Sequence, residues 1–175
     1  MSNSLRIMVI AAAVLLAGCE SDKTNNCPGV SSIVETSIGT VFRPGKPTDP
    51  SNILYTVEIT GVHGSCDVDK LALNSSSDID VQFRATRAPN GGAATYKVPY
   101  FVAISQSDRI LAKKLFEVEF SFDPGQTTAT FSDTVKSAAV QAGKDKKTYD
   151  YLVLVGLQLT KEQLDYNRAS GRLTP

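Results

Sequence analysis

The stretch Ile79-Asp80-Val81-Gln82-Phe83-Arg84-Ala85-Thr86 alternates strictly between apolar and polar side chains. Successive side chains of a β-strand point to opposite faces of the sheet, so this period of two predicts a strand with one buried face and one solvated face. The alternation recurs at residues 53–60, 96–104, 116–122 and 151–159. The sequence therefore predicts an antiparallel sheet structure whose strands are apolar inward and polar outward.

Weaker strand patterns at residues 30–42, 68–73 and 127–135 bring the expected number of strands to seven or eight. Stretches rich in Pro, Gly, Asn, Asp and Ser separate the strands, for example at residues 43–50 and 88–92. This pattern favours an all-β antiparallel β-sandwich of the immunoglobulin-like or fibronectin-like kind, with a single sheet closed on itself as the alternative. One short C-terminal helix is expected after Leu159, because Thr160 and Gln163 have the spacing of a capping box.

The composition is that of an ordinary globular domain. Of the 175 residues, 42% are hydrophobic and 21% are charged, and 18 basic side chains balance 18 acidic ones. A chain of this size can bury a continuous core without a metal or cofactor. Its balanced charge gives no electrostatic reason to expect a nucleic-acid partner.

The amino terminus has the features of a signal peptide. Residues 1–6 are polar and carry one positive charge, and residues 7–16 form an unbroken apolar run. Ten apolar residues are too few for a membrane-spanning helix, which needs about 20. Ala17 and Gly18 follow Leu16, directly before Cys19.

The sequence Leu16-Ala17-Gly18-Cys19 resembles the lipobox of bacterial lipoproteins. The resemblance implies that lipid is attached to the Cys19 thiol and that a signal peptidase recognises the three preceding residues and cuts before Cys19. Two or three acyl chains, such as palmitate, would anchor the protein stably. The expected parts are a signal peptide at 1–18, a lipidated Cys with a polar tether at 19–26, and a single domain at 27–175. An ordinary secretory signal is the alternative.

The residue after Cys19 bears on the membrane that holds the protein. In enterobacterial lipoproteins an Asp at that position favours the inner membrane, whereas this chain has Glu20. The resemblance therefore implies a location in the bacterial cell envelope, anchored in the outer membrane and facing the periplasm.

Cys27 and Cys66 form an even pair once Cys19 carries lipid. In an oxidising compartment such a pair predicts a disulfide. A redox-active or metal-binding pair is the alternative, but neither residue belongs to a Cys-x-x-Cys motif. The one histidine, His63, is a single candidate ligand where a zinc site uses four.

Other residues that could support catalysis or metal binding lack the pattern that such chemistry needs. His63 is not accompanied by a Gly-x-Ser-x-Gly motif, so a Ser-His-Asp triad is not predicted. No calcium-binding loop accompanies the spaced carboxylates, which are better interpreted as strand ends or a solvated sheet face. We therefore expect no catalytic residue, no metal and no cofactor. The carboxylates are Asp67, Asp69, Asp78, Asp80, Glu117 and Glu119.

These observations predict a non-enzymatic, lipid-anchored lipoprotein that serves as an interaction or accessory module of the envelope. Its partners would be the membrane, through the N-terminal lipid, and an envelope protein that the sequence does not identify. Exposed strand edges are natural partner sites. The alternative function is a small periplasmic inhibitor or ligand-binding lipoprotein, which would need a protruding loop at residues 43–50 or 145–148.

Overall fold

A computed structural model of the chain describes residues 26–89 and 91–171. It confirms the predicted all-β sandwich with one short C-terminal helix. The predicted signal peptide, the lipobox-like residues with Cys19, and the predicted tether up to residue 25 lie outside the described residues. Within them, the elements are β1 (Gly29–Ser32), β2 (Ile38–Phe42), β3 (Ile53–Val68), β4 (Asn74–Thr86), β5 (Ala94–Gln106), β6 (Arg109–Phe122), β7 (Thr128–Gln141), β8 (Tyr151–Leu157) and α1 (Lys161–Ala169).

The strands form two four-stranded sheets packed face to face, the architecture of immunoglobulin-like and fibronectin-like domains. The first sheet has the order β1-β8-β5-β6 and the second has the order β2-β3-β4-β7. Neighbouring strands are antiparallel, except that β1 runs parallel to β8. The long strands β6 and β7 are the edges of their sheets, and they lie on the same side of the sandwich.

The predicted alternation determines which side chains fill the core. In β4, the apolar residues Ile79, Val81, Phe83 and Ala85 are all 1% exposed or less. The Phe83 ring stacks on Phe131 of β7 at 5.2 Å between ring centres, within the second sheet. It also meets the edge of a tyrosine ring of β5 across the core. Aromatic rings from both sheets therefore interlock in the space between them.

Two of the weaker strand predictions need correction. Residues 30–42 do not form one strand, because a 3-10 helix at Val34–Thr36 carries the chain from β1 in the first sheet to β2 in the second. In the predicted strand at 68–73, Val68 is the last residue of β3 and residues 69–73 form a turn. The Asp69 carboxylate accepts backbone N–H groups from Leu71, Leu73 and Asn74, at 3.1, 2.8 and 3.1 Å. Such side-chain bonds compete with the sheet ladder and favour a turn.

The C-terminal helix forms as the sequence predicts. Thr160 caps it in a complete capping box: the Thr160 hydroxyl accepts the Gln163 N–H at 3.2 Å, and the Gln163 side-chain oxygen accepts the Thr160 N–H at 2.8 Å. The Tyr166 ring meets the Phe42 ring of β2 edge-on at 5.0 Å. The buried Asn167 side chain donates to the Ile38 carbonyl at 2.7 Å. These contacts dock the helix against β2.

The structure joins the predicted pair Cys27 and Cys66 in a disulfide, with 6.1 Å between their Cα atoms. The bond lies where β3 ends and where the described chain begins. The β3–β4 turn at 69–73 and the β7–β8 loop at 142–150 meet there, because the Thr148 N–H donates to the Ala72 carbonyl at 2.8 Å. The β5–β6 turn at 107–108 lies beside them, since Gln106 pairs with Tyr151 at the start of β8. We call this part of the molecule the disulfide end.

Candidate functional site

A cleft opens between the two sheets on the side where β6 and β7 form the edges. Its volume is about 220 Å³. Val102, Ile104 and Phe116 line it from the first sheet, and Val135 and Ala138 line it from the second. We call it the edge cleft. Three lysines contribute to its lining: Lys113, Lys114 and Lys136.

The edge cleft exists because β7 is irregular and carries small side chains at this point. The register between β4 and β7 shifts between Ser77 and Ile79, opposite a residue of β7, Ser137, whose φ of +57° is unusual for a non-glycine. The alanines that follow, Ala138 and Ala139, are too small to fill the space against the first sheet. A bulge of this kind bends a strand and changes where its side chains point.

A hydrogen bond between the sheets lies next to the cleft. The buried Tyr100 hydroxyl of β5 donates to the Asp133 carboxylate of β7 at 2.7 Å. The Tyr100 ring also stacks on Phe116, a wall of the cleft, at 5.4 Å. Burial, together with the bond to Asp133, raises the pKa of Tyr100 well above its usual value. The hydroxyl therefore stays protonated and keeps the two sheets linked.

The lysines of the edge cleft differ in their partners. Lys136 forms an ion pair with Asp78 at 2.8 Å, and this hydrogen bond holds the pKa of Asp78 below its usual value. The Lys113 ammonium lies 4.0 Å from the centre of the Phe101 ring and donates to the Gln158 side chain. Within the described ranges, neither Lys113 nor Lys114 is paired with a carboxylate.

Strand β6 borders the cleft with an edge that has no neighbouring strand within the described part of the chain. The first half of β6, residues 109–115, is exposed throughout. It presents Ile110, Leu111 and Leu115 to solvent, with Leu115 59% exposed. Unpaired backbone groups beside exposed apolar side chains form a surface to which an extended chain can bind.

The residues that the sequence offered for chemistry do not form one cluster: Asp67 and Asp78 lie together beside Cys66, whereas the others lie elsewhere, and most have structural partners. Asp80 accepts the Thr134 hydroxyl at 2.6 Å, and Glu117 forms an ion pair with Lys97 at 3.0 Å. The exposed His63 lies opposite Asp80 in the β3–β4 ladder, away from the edge cleft. In residues 26–89 and 91–171, no group of three His, Cys, Asp or Glu side chains is arranged to hold a metal ion.

The two loops in which an inserting side chain was sought are held by their own hydrogen bonds. In the loop at 43–50, the Asp49 carboxylate accepts bonds from Ser51 and Asn52, and Arg43 donates to the Ser51 carbonyl at 2.9 Å. In the loop at 145–148, Thr148 is fully buried and its hydroxyl donates to the Asn26 carbonyl. The edge cleft, which sequence reasoning did not locate, is the better candidate for a binding site.

A signal for this site is present in the sequence. Residues 109–115, Arg-Ile-Leu-Ala-Lys-Lys-Leu, carry three positive charges and no negative one, and their apolar residues do not alternate.

Comparison of the chain with protein-family models, with curated proteins and with solved structures finds no match. Among the residues that the structure describes, no helix is both long and apolar enough to cross a membrane. The function proposed below rests on the chain's own residues.

Proposed function

We propose that this protein is a lipid-anchored interaction module of the bacterial envelope, without enzymatic activity. Lipid on Cys19 would hold it in the outer membrane, facing the periplasm, as the lipobox-like sequence implies. A disulfide between Cys27 and Cys66 fits an oxidising compartment. The observation that carries the proposal is the unpaired edge of β6 beside the edge cleft.

The partner that fits this surface is an extended segment of another protein. Its backbone would hydrogen-bond to the free edge of β6 and add a fifth strand to the first sheet. Every second side chain of the added strand would then lie over the edge cleft, whose walls are mainly apolar. The cleft is smaller than the ~300 to 1,000 Å³ of typical small-molecule pockets. It therefore suits single side chains better than a whole ligand.

The charges near β6 indicate what the partner carries. Lys113 and Lys114 both border the cleft, and the Lys113 ammonium lies over the Phe101 ring. Because neither lysine is ion-paired within the described part of the chain, an acidic partner segment gains attraction without displacing an existing pair. The proposed partner is an envelope protein with an exposed, extended segment of alternating apolar and acidic residues.

A photo-reactive amino acid at position 115 tests the partner site in the native envelope. Irradiation is expected to give one or a few discrete cross-linked products, since Leu115 lies on the exposed half of β6. The matched control carries the same amino acid at Glu162, which is exposed on α1, a helix that packs against β2 of the other sheet, and it should give none of these products. Adding Lys113→Glu and Lys114→Glu should suppress them. Equal product patterns from positions 115 and 162 would contradict the proposed site.

Metabolic labelling with palmitate tests the anchor. The native chain is expected to incorporate label, and Cys19→Ala is expected to lose it completely, because Ala has no thiol to accept the lipid. Ser21→Ala, two residues further on, keeps the cysteine and should label as the native chain does. Label that persists in Cys19→Ala, or a mature protein cut at another position, would overturn the proposed anchor.

A further inference from the structure

Exposed apolar side chains are concentrated at one end of the sandwich. Of the large apolar residues that are exposed in the described part of the chain, most lie in the connections of the disulfide end or within two residues of them. Leu71 of the β3–β4 turn is 66% exposed, and Tyr149 of the β7–β8 loop is 51% exposed. The others are Ile110 and Leu152.

The opposite end of the sandwich has a different surface. Its connections are the loops at 43–52, 87–89 with 91–93, and 123–127, which consist mainly of proline, glycine and polar residues. None of the large exposed apolar side chains of the described residues lies in these loops. The two ends therefore differ in chemistry although both consist of turns. Exposed apolar side chains are a feature of the disulfide end and not of the domain's loops in general.

The turns of the disulfide end hold their side chains in place. The Lys147 ammonium donates to the Leu71 carbonyl at 2.6 Å, which ties the β7–β8 loop to the β3–β4 turn. The Asp69 carboxylate fixes the turn that presents Leu71, through bonds to three backbone N–H groups. Leu71 and Tyr149 are thus exposed on braced loops, and no described contact covers them.

The tether enters the domain at this end. The Thr148 hydroxyl donates to the Asn26 carbonyl, and the next residue, Cys27, is bonded to Cys66. Between Cys19 and Cys27 the chain has seven residues, which span at most about 25 Å when fully extended. A lipid on Cys19 therefore keeps the disulfide end within that distance of the bilayer, whereas the opposite end can lie much further away.

We infer that the disulfide end of the domain rests on the lipid surface, with Leu71 and Tyr149 inserted among the lipid headgroups. This inference rests on the proposed anchor at Cys19. Leucine and tyrosine suit the boundary between headgroups and acyl chains, tyrosine because its ring is apolar and its hydroxyl is polar. Because hydrogen bonds already hold these turns in place, they lose little conformational freedom when they contact the lipid surface. The short tether supplies the high local concentration of lipid.

The disulfide end carries charges of both signs, so its contact with the lipid surface should depend more on insertion of apolar side chains than on the charge of the lipids. Lys70, Lys144 and Lys146 are exposed there and can approach lipid phosphates. Asp108 and Asp145, also exposed at this end, offset part of their charge. We expect the contact to persist in vesicles without anionic lipid, in contrast to a polybasic surface.

Tryptophan fluorescence offers a direct test, because the chain contains no tryptophan. Leu71→Trp places an indole at the disulfide end, and Thr48→Trp places one in an exposed loop of the opposite end. Each lipidated mature protein is reconstituted into vesicles of phosphatidylethanolamine and phosphatidylglycerol that carry brominated acyl chains. Leu71→Trp is expected to lose about half of its emission or more to bromine quenching, and Thr48→Trp to lose almost none.

The outcomes separate this inference from the proposed anchor. If mass spectrometry shows lipid on Cys19 and the protein floats with the vesicles, equal quenching of Leu71→Trp and Thr48→Trp overturns the inference and leaves the anchor intact. If the mature protein carries no lipid on Cys19, the proposed anchor and this inference are both overturned. Because Leu71 is mostly exposed, Leu71→Trp should fold, and an unchanged circular dichroism spectrum verifies this.

Discussion

The double substitution Cys27→Ser and Cys66→Ser is expected to lower the free energy of unfolding by about 4 kcal/mol. The disulfide closes a loop across a sequence separation of 39, so it removes many conformations from the unfolded chain. It also attaches the start of the domain to the end of β3, directly before the four-residue strand β1. Without the bond, a strand this short has few contacts to keep it in the sheet.

Urea denaturation of the oxidised native chain and of the double variant measures this loss. Treating the native chain with a reducing agent should reproduce most of it, and the same treatment should leave the double variant unchanged. We also expect faster amide hydrogen exchange in β1 than in β4 when the bond is absent, since β4 lies between two long strands. A loss below about 1 kcal/mol would contradict the loop-closure argument.

Stability is expected to fall steeply at alkaline pH because of buried tyrosines. Burial raises the pKa of Tyr55 to about 12, and the nearby Tyr96 adds to this increase. In the unfolded chain the same hydroxyl ionises near pH 10. The folded state therefore keeps a proton that the unfolded state loses between pH 10 and 12, so this contribution is complete below pH 10 and disappears as the pH rises. For Tyr55 alone the loss is about 2 kcal/mol at pH 12.

The Tyr100 hydroxyl adds to this loss in the same direction, because its pKa is also raised in the folded state. Urea denaturation at a series of pH values from 8 to about 11.5 measures the total. Tyr55→Phe should remove part of the decline, and Tyr149→Phe, which replaces an exposed tyrosine, should leave the decline unchanged. If the native chain and Tyr55→Phe lose stability in parallel, the burial of the Tyr55 hydroxyl does not control the alkaline transition.

The local elements of this fold could be predicted from sequence because each depends on neighbouring residues. The alternation from Ile79 to Ala85 determines which face of β4 is buried, whatever strands lie beside it. The capping box of Thr160 and Gln163 is likewise complete within four residues. The turn at Asp69 was missed, although its signal is local, because the apolar residues Leu71 and Leu73 suggested a strand.

The edge cleft could not be predicted, because it depends on contacts between distant parts of the chain. Ile104 and Phe116 would be ordinary core residues if β7 continued its regular register opposite them. The shift near Ser77 and the small residue Ala138 instead leave the space open. Sequence reasoning placed exposed strand edges among the partner sites, and residues 109–115 carry a local signal, but the position of β6 at the edge of its sheet follows from the tertiary fold.

The parallel pairing of β1 with β8 also determines when the domain can finish folding. The paired residues Gly29 and Leu152 are separated by more than 120 positions, so β1, the first strand to be synthesised, cannot pair until β8, the last strand, has been synthesised. A ribosome-bound chain that ends before Leu152 lacks the strand between β1 and β5. Contacts this distant in sequence slow folding. During synthesis there is therefore a long interval in which β1 has no strand to pair with. Throughout most of that interval Cys66 has already been made and can pair with Cys27, next to β1.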